Sequence, residues 1–268
     1  MKNSKSLDET YISIILDALG VCKNYKPKFG RGAKAGFSLS EFQTLYQQDD
    51  FYAWFGLDSP LVYAAHKAAG GMTSVYRQIG IACERLFRRI LQDTLSIEAE
   101  QASWSYLVPS AGGKTRTLSL DGRISFSEIQ NQERRAIVKK WLSEAAFNLR
   151  VDKKLATQLR GAVFEIRQGY KSKDSKRQNA DIGNAVNAYT NLYLPVLGLL
   201  SIQIDSDIEE RYARAQWLIL KGSLHGASIN SIYVFCREVL GYDLTGFFKR
   251  NAPKIQSKVE SIIQALLK

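Results

Sequence analysis

The stretch from Gly161 to Ile204 constrains this chain more than any other, because its hydrophobic period changes twice. Ala162-Val163-Phe164-Glu165-Ile166-Arg167 has the apolar, β-branched make-up of a strand, Ala180, Ile182, Ala185, Val186 and Tyr189 recur at helical spacing, and Leu194 to Ile204 reads as a second buried strand. That order predicts a strand–helix–strand unit. Two charges, Glu165 and Arg167, interrupt the apolar run of the first strand. Each ion taken out of water costs several kcal/mol unless it is paired or bound to a metal, so the fold must use them. Side chains alternate along a strand, which puts Glu165, Arg167, Gly169 and Lys171 on one face, a carboxylate beside two cations. A carboxylate can hold Mg2+ while a nearby cation stabilises the charge that grows on an attacked phosphate. Phosphodiester hydrolysis needs that division of labour.

An acidic residue, one intervening residue and a cation on a strand, followed by a polar-faced helix and another strand, resembles the PD-(D/E)xK nuclease core. The run from Arg167 through Gln168-Gly169-Tyr170-Lys171-Ser172-Lys173 to Asp181 is similar to type II restriction endonucleases, most closely the ApaLI-like group, as are Tyr76-Arg77-Gln78 and Gly241-Tyr242-Asp243-Leu244. The resemblance implies an α/β fold, a mixed central β-sheet flanked by helices with helical N-terminal and C-terminal additions. It also implies a Mg2+-dependent endonuclease that cuts double-stranded DNA at a short site. A homodimer on a palindromic site follows from the resemblance and from two-fold symmetry. Where the superfamily usually has lysine, this chain has Arg167.

Such an enzyme needs a second acid upstream of Glu165, and two candidates exist. Asp152 precedes a short amphipathic segment ended by Gly161, so it reads as a helix N-cap whose oxygens are occupied by amides. Asp121 ends a strand that could pair beside Glu165 and is followed by Gly122, which lets a backbone or phosphate come close. Asp121 is the preferred metal ligand. Arg167 and Lys171 are jointly the candidate catalytic cations, because arginine stays protonated and serves poorly as a base, and a bulge at Gly169 would change which side chain faces the metal. Glu84, on a long helix among Arg77, Arg85, Arg88 and Arg89, is either an i, i+4 ion-pair partner of Arg88 or the helix-borne carboxylate that often sits beside the metal in this superfamily.

The formal net charge is +11 and the isoelectric point about 9.5, so the surface attracts polyanions. Two segments concentrate that charge. Lys173, Lys176, Arg177, Gln178 and Asn179 crowd the start of the helix after the catalytic strand, where free amides and the helix dipole already favour anions. Between Lys23 and Phe37 the chain carries Lys26, Lys28, Arg31 and Lys34 with no acid, interleaved with Tyr25 and Phe29, and reads as a flexible basic loop suited to a phosphate backbone. Three widely spaced cysteines, Cys22, Cys83 and Cys236, suggest reduced structural thiols rather than a disulfide framework or a zinc cluster.

No apolar run is long enough to span a bilayer, and Met1 to Lys5 leads into an amphipathic helix rather than a signal peptide, so a cytoplasmic protein without membrane contact is expected. With 268 residues and 45% hydrophobic content the chain can bury a sizeable core. It divides into a helical and basic-loop region over 1–70, a nuclease core over 71–225 and a C-terminal helical region over 226–268, all part of one compact domain. Gly70-Gly71 is expected to break the chain before a helix from Ser74 to Ile97, and Asp58-Ser59-Pro60 to form a turn. His66, alone on an alanine-rich helix, reads as structural. Trp104 to Pro109 and Lys114 to Ile124 alternate as strands around Gly112-Gly113. The rival reading is a basic DNA-binding protein without catalysis, in which Glu165 and Arg167 form a buried ion pair. A weaker rival is an RNA-processing nuclease.

Overall fold

The computed structural model describes residues 4–29, 35–109, 114–170 and 175–267, with the backbone alone at 4–6, 109 and 175–179. The chain forms two compact units, Met1–Ala82 with Arg250–Lys268, and Cys83–Lys249.

The first unit is helical. It contains α1 (Ser4–Gly20), a 3-10 turn (Val21–Asn24), α2 (Leu39–Gln47), α3 (Asp50–Trp54), the first part of α4 (Pro60–Leu95) and the second part of α10 (Leu244–Leu267). Side chains fix the helix starts. Ser38 and Glu41 form a reciprocal capping box on α2, and the Asp49 carboxylate accepts the first amides of α3. At Asp58-Ser59-Pro60 the Ser59 hydroxyl accepts the Val62 amide and proline takes the first helical position, so the expected turn is the entry to α4.

Gly70-Gly71 does not break the chain: α4 runs through it without interruption. Both glycines serve close approach instead. A Cβ on Gly70 would stand 2.1 Å from the Tyr25 hydroxyl, and one on Gly71 2.5 Å from Leu266 of α10. Phe29 packs against Phe37, Phe42, Tyr46 and His66, so His66 is one wall of an aromatic cluster.

The second unit holds the sheets. A hairpin pairs β1 (Trp104–Pro109) antiparallel with β2 (Thr115–Leu120). The four-stranded sheet has the order β3 (Gly122–Ser125), β4 (Gly161–Arg167), β5 (Tyr193–Leu199), β6 (Leu218–Leu220), with β3 antiparallel to β4 and the other pairs parallel. The stretch expected as one strand up to Ile124 is therefore split at Asp121 between two sheets. Helix α5 (Gln132–Asn148) and the short α6 (Lys153–Gln158) connect β3 to β4, and α7 (Ser175–Thr190) makes the crossover from β4 to β5. Helix α8 (Ser206–Arg214) precedes β6, and α9 (Ile232–Phe235) runs into a π-helical turn closed by Gly241 in the left-handed conformation.

Alternation along β4 gives the sheet two faces. Phe164 packs with Phe87 of α4, Trp141 of α5 and Phe235 of α9. On the other face Val163 joins Trp104, Leu120, Ala185, Ala188, Leu197, Tyr212 and Trp217. Glu165 and Arg167 fall on this second face. The architecture is mixed α/β, with one antiparallel and one mixed sheet flanked by helices. No helix of the described residues is long and apolar enough to cross a membrane.

Candidate active site

The antiparallel register that pairs Gly122 with Phe164 sets Asp121 across from Glu165. The amide of Asp121 donates to the Phe164 carbonyl at 2.8 Å, and its side chain then takes the next rung, Oδ2 accepting the Ile166 amide at 2.8 Å. Leaving one strand for another at Asp121 thus places its carboxylate against the backbone between Glu165 and Arg167. Gly122 explains how the helix can lie so near: a Cβ there would meet Leu91 and Phe87 of α4 at 3.1 and 3.3 Å. The glycine expected to admit a backbone or phosphate admits a helix.

Arg167 lies at the end of β4 with only 6% of its side chain exposed, and a single nitrogen, Nη2, donates to two carboxylates. Glu165 Oε1 is 2.9 Å away and Asp181 Oδ2, on α7, 2.7 Å. Tyr212 of α8 hydrogen-bonds the same Asp181 oxygen, the Tyr170 and Tyr212 hydroxyls are 3.1 Å apart, and the Tyr170 ring covers the guanidinium at 4.5 Å. Burial alone would lower the pKa of Arg167, but Glu165 and Asp181 outweigh it and hold the guanidinium above its usual value. Burial, and next the Asp181 charge, pushes the Tyr212 phenol far up, so it remains a donor. Glu165 and Arg167 do form a buried ion pair, extended by Asp181 and two tyrosines.

Asp181 is the residue that sequence reasoning passed over. Of the apolar residues at helical spacing on α7, Ala185 is buried and Ile182 and Tyr189 partly so, but Ala180 and Val186 are exposed, Val186 to 63%, and the buried face is Asp181, Asn184, Ala185 and Ala188. The helix is rotated because its inward face is polar: Asp181 meets Arg167, and Asn184 accepts a hydrogen bond from the Tyr106 hydroxyl of β1. The signal was the i, i+3 pair Asp181 and Asn184 in phase with two small alanines.

Helix α4 brings a cation to Asp121. Arg88 Nε donates to the Asp121 carbonyl at 2.9 Å, and Glu84 stands one turn earlier on the same side of the helix. Asp152 does cap α6, its Oδ1 accepting the amides of Lys154 and Leu155 at 3.0 and 3.1 Å. Asp152→Ala is therefore expected to lower stability by about 1 kcal/mol without touching the Asp121 and Glu165 pair, as urea unfolding would read.

Lys171 and Lys173 lie outside the described residues, as do Arg31 and Lys34. Lys176, Arg177, Gln178 and Asn179 belong to the first turns of α7, whose N-terminus follows the end of β4 that carries Arg167. Lys26 and Lys28 are exposed, but the basic segment is pinned: Phe37 donates its amide to Pro27, and Phe29 turns inward. Among its described residues Phe29 serves packing, and Lys26 and Lys28 face outward. The three cysteines are buried and free, and burial pushes the Cys83 thiol up to about 12.

Among the described residues no group of three or more His, Cys, Asp or Glu side chains is gathered to hold a metal ion. Mg2+ is usually held by one or two carboxylates completed by water and substrate phosphate, so the hard oxygen donors of Asp121 and Glu165 fit it; Glu84, expected as a further ligand, is not gathered with them, because α4 packs on the Phe164 face and Glu165 lies on the other. No family model, curated protein or solved structure matches this chain.

Proposed function

We propose that this chain is a Mg2+-dependent endonuclease of the type II restriction class, hydrolysing phosphodiester bonds of double-stranded DNA at a short, specific site, with two copies acting on a palindrome. The observation that carries the reading is the meeting of Asp121 and Glu165 across the β3–β4 pair, at the strand end that leads to the basic start of α7. Carboxylates on adjacent strands beside a phosphate-attracting helix N-terminus form the arrangement that phosphodiester hydrolysis requires. The basic net charge of the chain suits the polyanion.

Asp121 and Glu165 would hold Mg2+, which when bound polarises the phosphate and lowers the pKa of a bound water. The chain's own residues do the positioning. The Ile166 amide fixes one oxygen of Asp121, and Arg167 fixes one oxygen of Glu165. Hydrolysis adds a water oxygen to phosphorus and releases the sugar oxygen with a proton. Arg167 supplies no proton acceptor, since guanidinium stays charged.

The test is conversion of supercoiled plasmid to nicked and linear forms, expected in Mg2+ and absent in EDTA. A non-catalytic DNA-binding protein is the second reading, favoured by the internal pairing of Glu165 with Arg167. It would retard the plasmid equally in both buffers and cut in neither. RNA offered beside duplex DNA separates the remaining nuclease reading.

Lys176 and Arg177 carry a further prediction. If each neutralises one phosphate, replacing either by alanine should weaken binding to all duplexes alike and flatten the plot of log affinity against log salt by roughly one unit. Alanine at Gln178 or Asn179 should instead relax sequence preference, because amide side chains read base edges. Affinities for cognate and scrambled duplexes, measured in Ca2+ to hold the complex uncut, distinguish the two.

A further inference from the structure

We infer that Arg88, on α4, is the cation that meets the scissile phosphate, an inference that rests on the nuclease reading above. Phosphoryl chemistry needs positive charge aimed at oxygens whose negative charge grows in the transition state. Arg167 occupies the position expected for it but is already engaged. One of its nitrogens serves both Glu165 and Asp181, the Tyr170 ring lies over its face, and its Nε is enclosed without a hydrogen-bond partner among the described residues. With two carboxylates on one guanidinium, the charge and donors of Arg167 are already committed to its neighbours.

Arg88 stands differently. Its Nε donates to the carbonyl of Asp121, the residue whose carboxylate accepts the Ile166 amide, and Arg88 is only half-buried. A guanidinium is a planar fork with five donors, and anchoring it through Nε leaves the Nη edge to grip two oxygens of one phosphate. Among the described residues no acid forms an ion pair with it.

The experiment is single-turnover cleavage by wild type, Arg88→Ala, Arg88→Gln and Arg85→Ala, with and without millimolar guanidinium chloride, beside duplex affinity in Ca2+. Arg88→Gln keeps a donor for the Asp121 carbonyl, so it holds the α4 contact while lacking the charge. Both Arg88 variants are expected to cut about 10²–10³-fold more slowly, the usual effect of removing one preorganised donor, with affinity changed only a few-fold. Free guanidinium should restore Arg88→Ala at least about tenfold by entering the vacated space, while Arg85→Ala, an exposed neighbour, should cut as wild type and ignore guanidinium. Cutting by Arg88→Gln within a few-fold of wild type, or a loss in Arg88→Ala that guanidinium does not restore, overturns the inference and leaves the nuclease reading standing. Failure of wild type to cut in Mg2+ removes both.

Discussion

Glu165→Ala should abolish cutting, by roughly 10³-fold or more in single-turnover rate, while duplex binding in Ca2+ stays within a few-fold of wild type. The expectation follows from position. Glu165 is 13% exposed, faces Asp121 across the β3–β4 pair and gives one oxygen to Arg167. Its removal takes away a hard oxygen donor but leaves Arg167 paired with Asp181, so the variant should remain folded. Retained cutting would mean that the two strands bring their acids together for packing alone.

Asp181→Ala should instead act on stability. Arg167 and Asp181 are 6% and 5% exposed, and removing one partner of a buried ion pair costs about 3–5 kcal/mol, because the remaining charge stays out of water. For a unit of this size that corresponds to a fall of roughly 6–20 °C in Tm. Tyr212 would also lose its acceptor. A calorimetric loss under about 1 kcal/mol would show that Glu165 alone satisfies the guanidinium. The two variants therefore separate the roles of the carboxylates that share Arg167: Glu165 is expected to affect rate, and Asp181 to affect fold.

What could be read from the sequence was local. The β-branched run at Val163 to Ile166 gave a strand, the aspartate before Lys153-Lys154 gave a cap, and the alternation on both sides of Gly112-Gly113 gave a hairpin, each from interactions spanning a few residues. The charges of Glu165 and Arg167 announced that something must neutralise them. The partner lay fourteen residues on, in a helix whose period is set by polar contacts rather than apolar ones, and no apolar pattern reports that. Gly70-Gly71 misled for a similar reason: glycine breaks helices by backbone freedom, but here it clears room for Tyr25 and Leu266, which are distant in sequence. Asp121 was legible as a candidate from the end of its strand. Its placement needed the register of β3 on β4 and the switch between sheets, which depend on long-range pairing.

We propose that Asp121 and Glu165 form one metal-dependent site that cuts duplex DNA at a defined sequence. The most direct measurement is digestion of a long DNA of known sequence by wild type and by Asp121→Asn in Mg2+, with the ends of all products sequenced. Wild type should give discrete fragments whose ends fall at one short recurring sequence, and Asp121→Asn should leave the DNA intact. Intact DNA with the wild-type protein, or the same fragments with Asp121→Asn, would contradict the proposal.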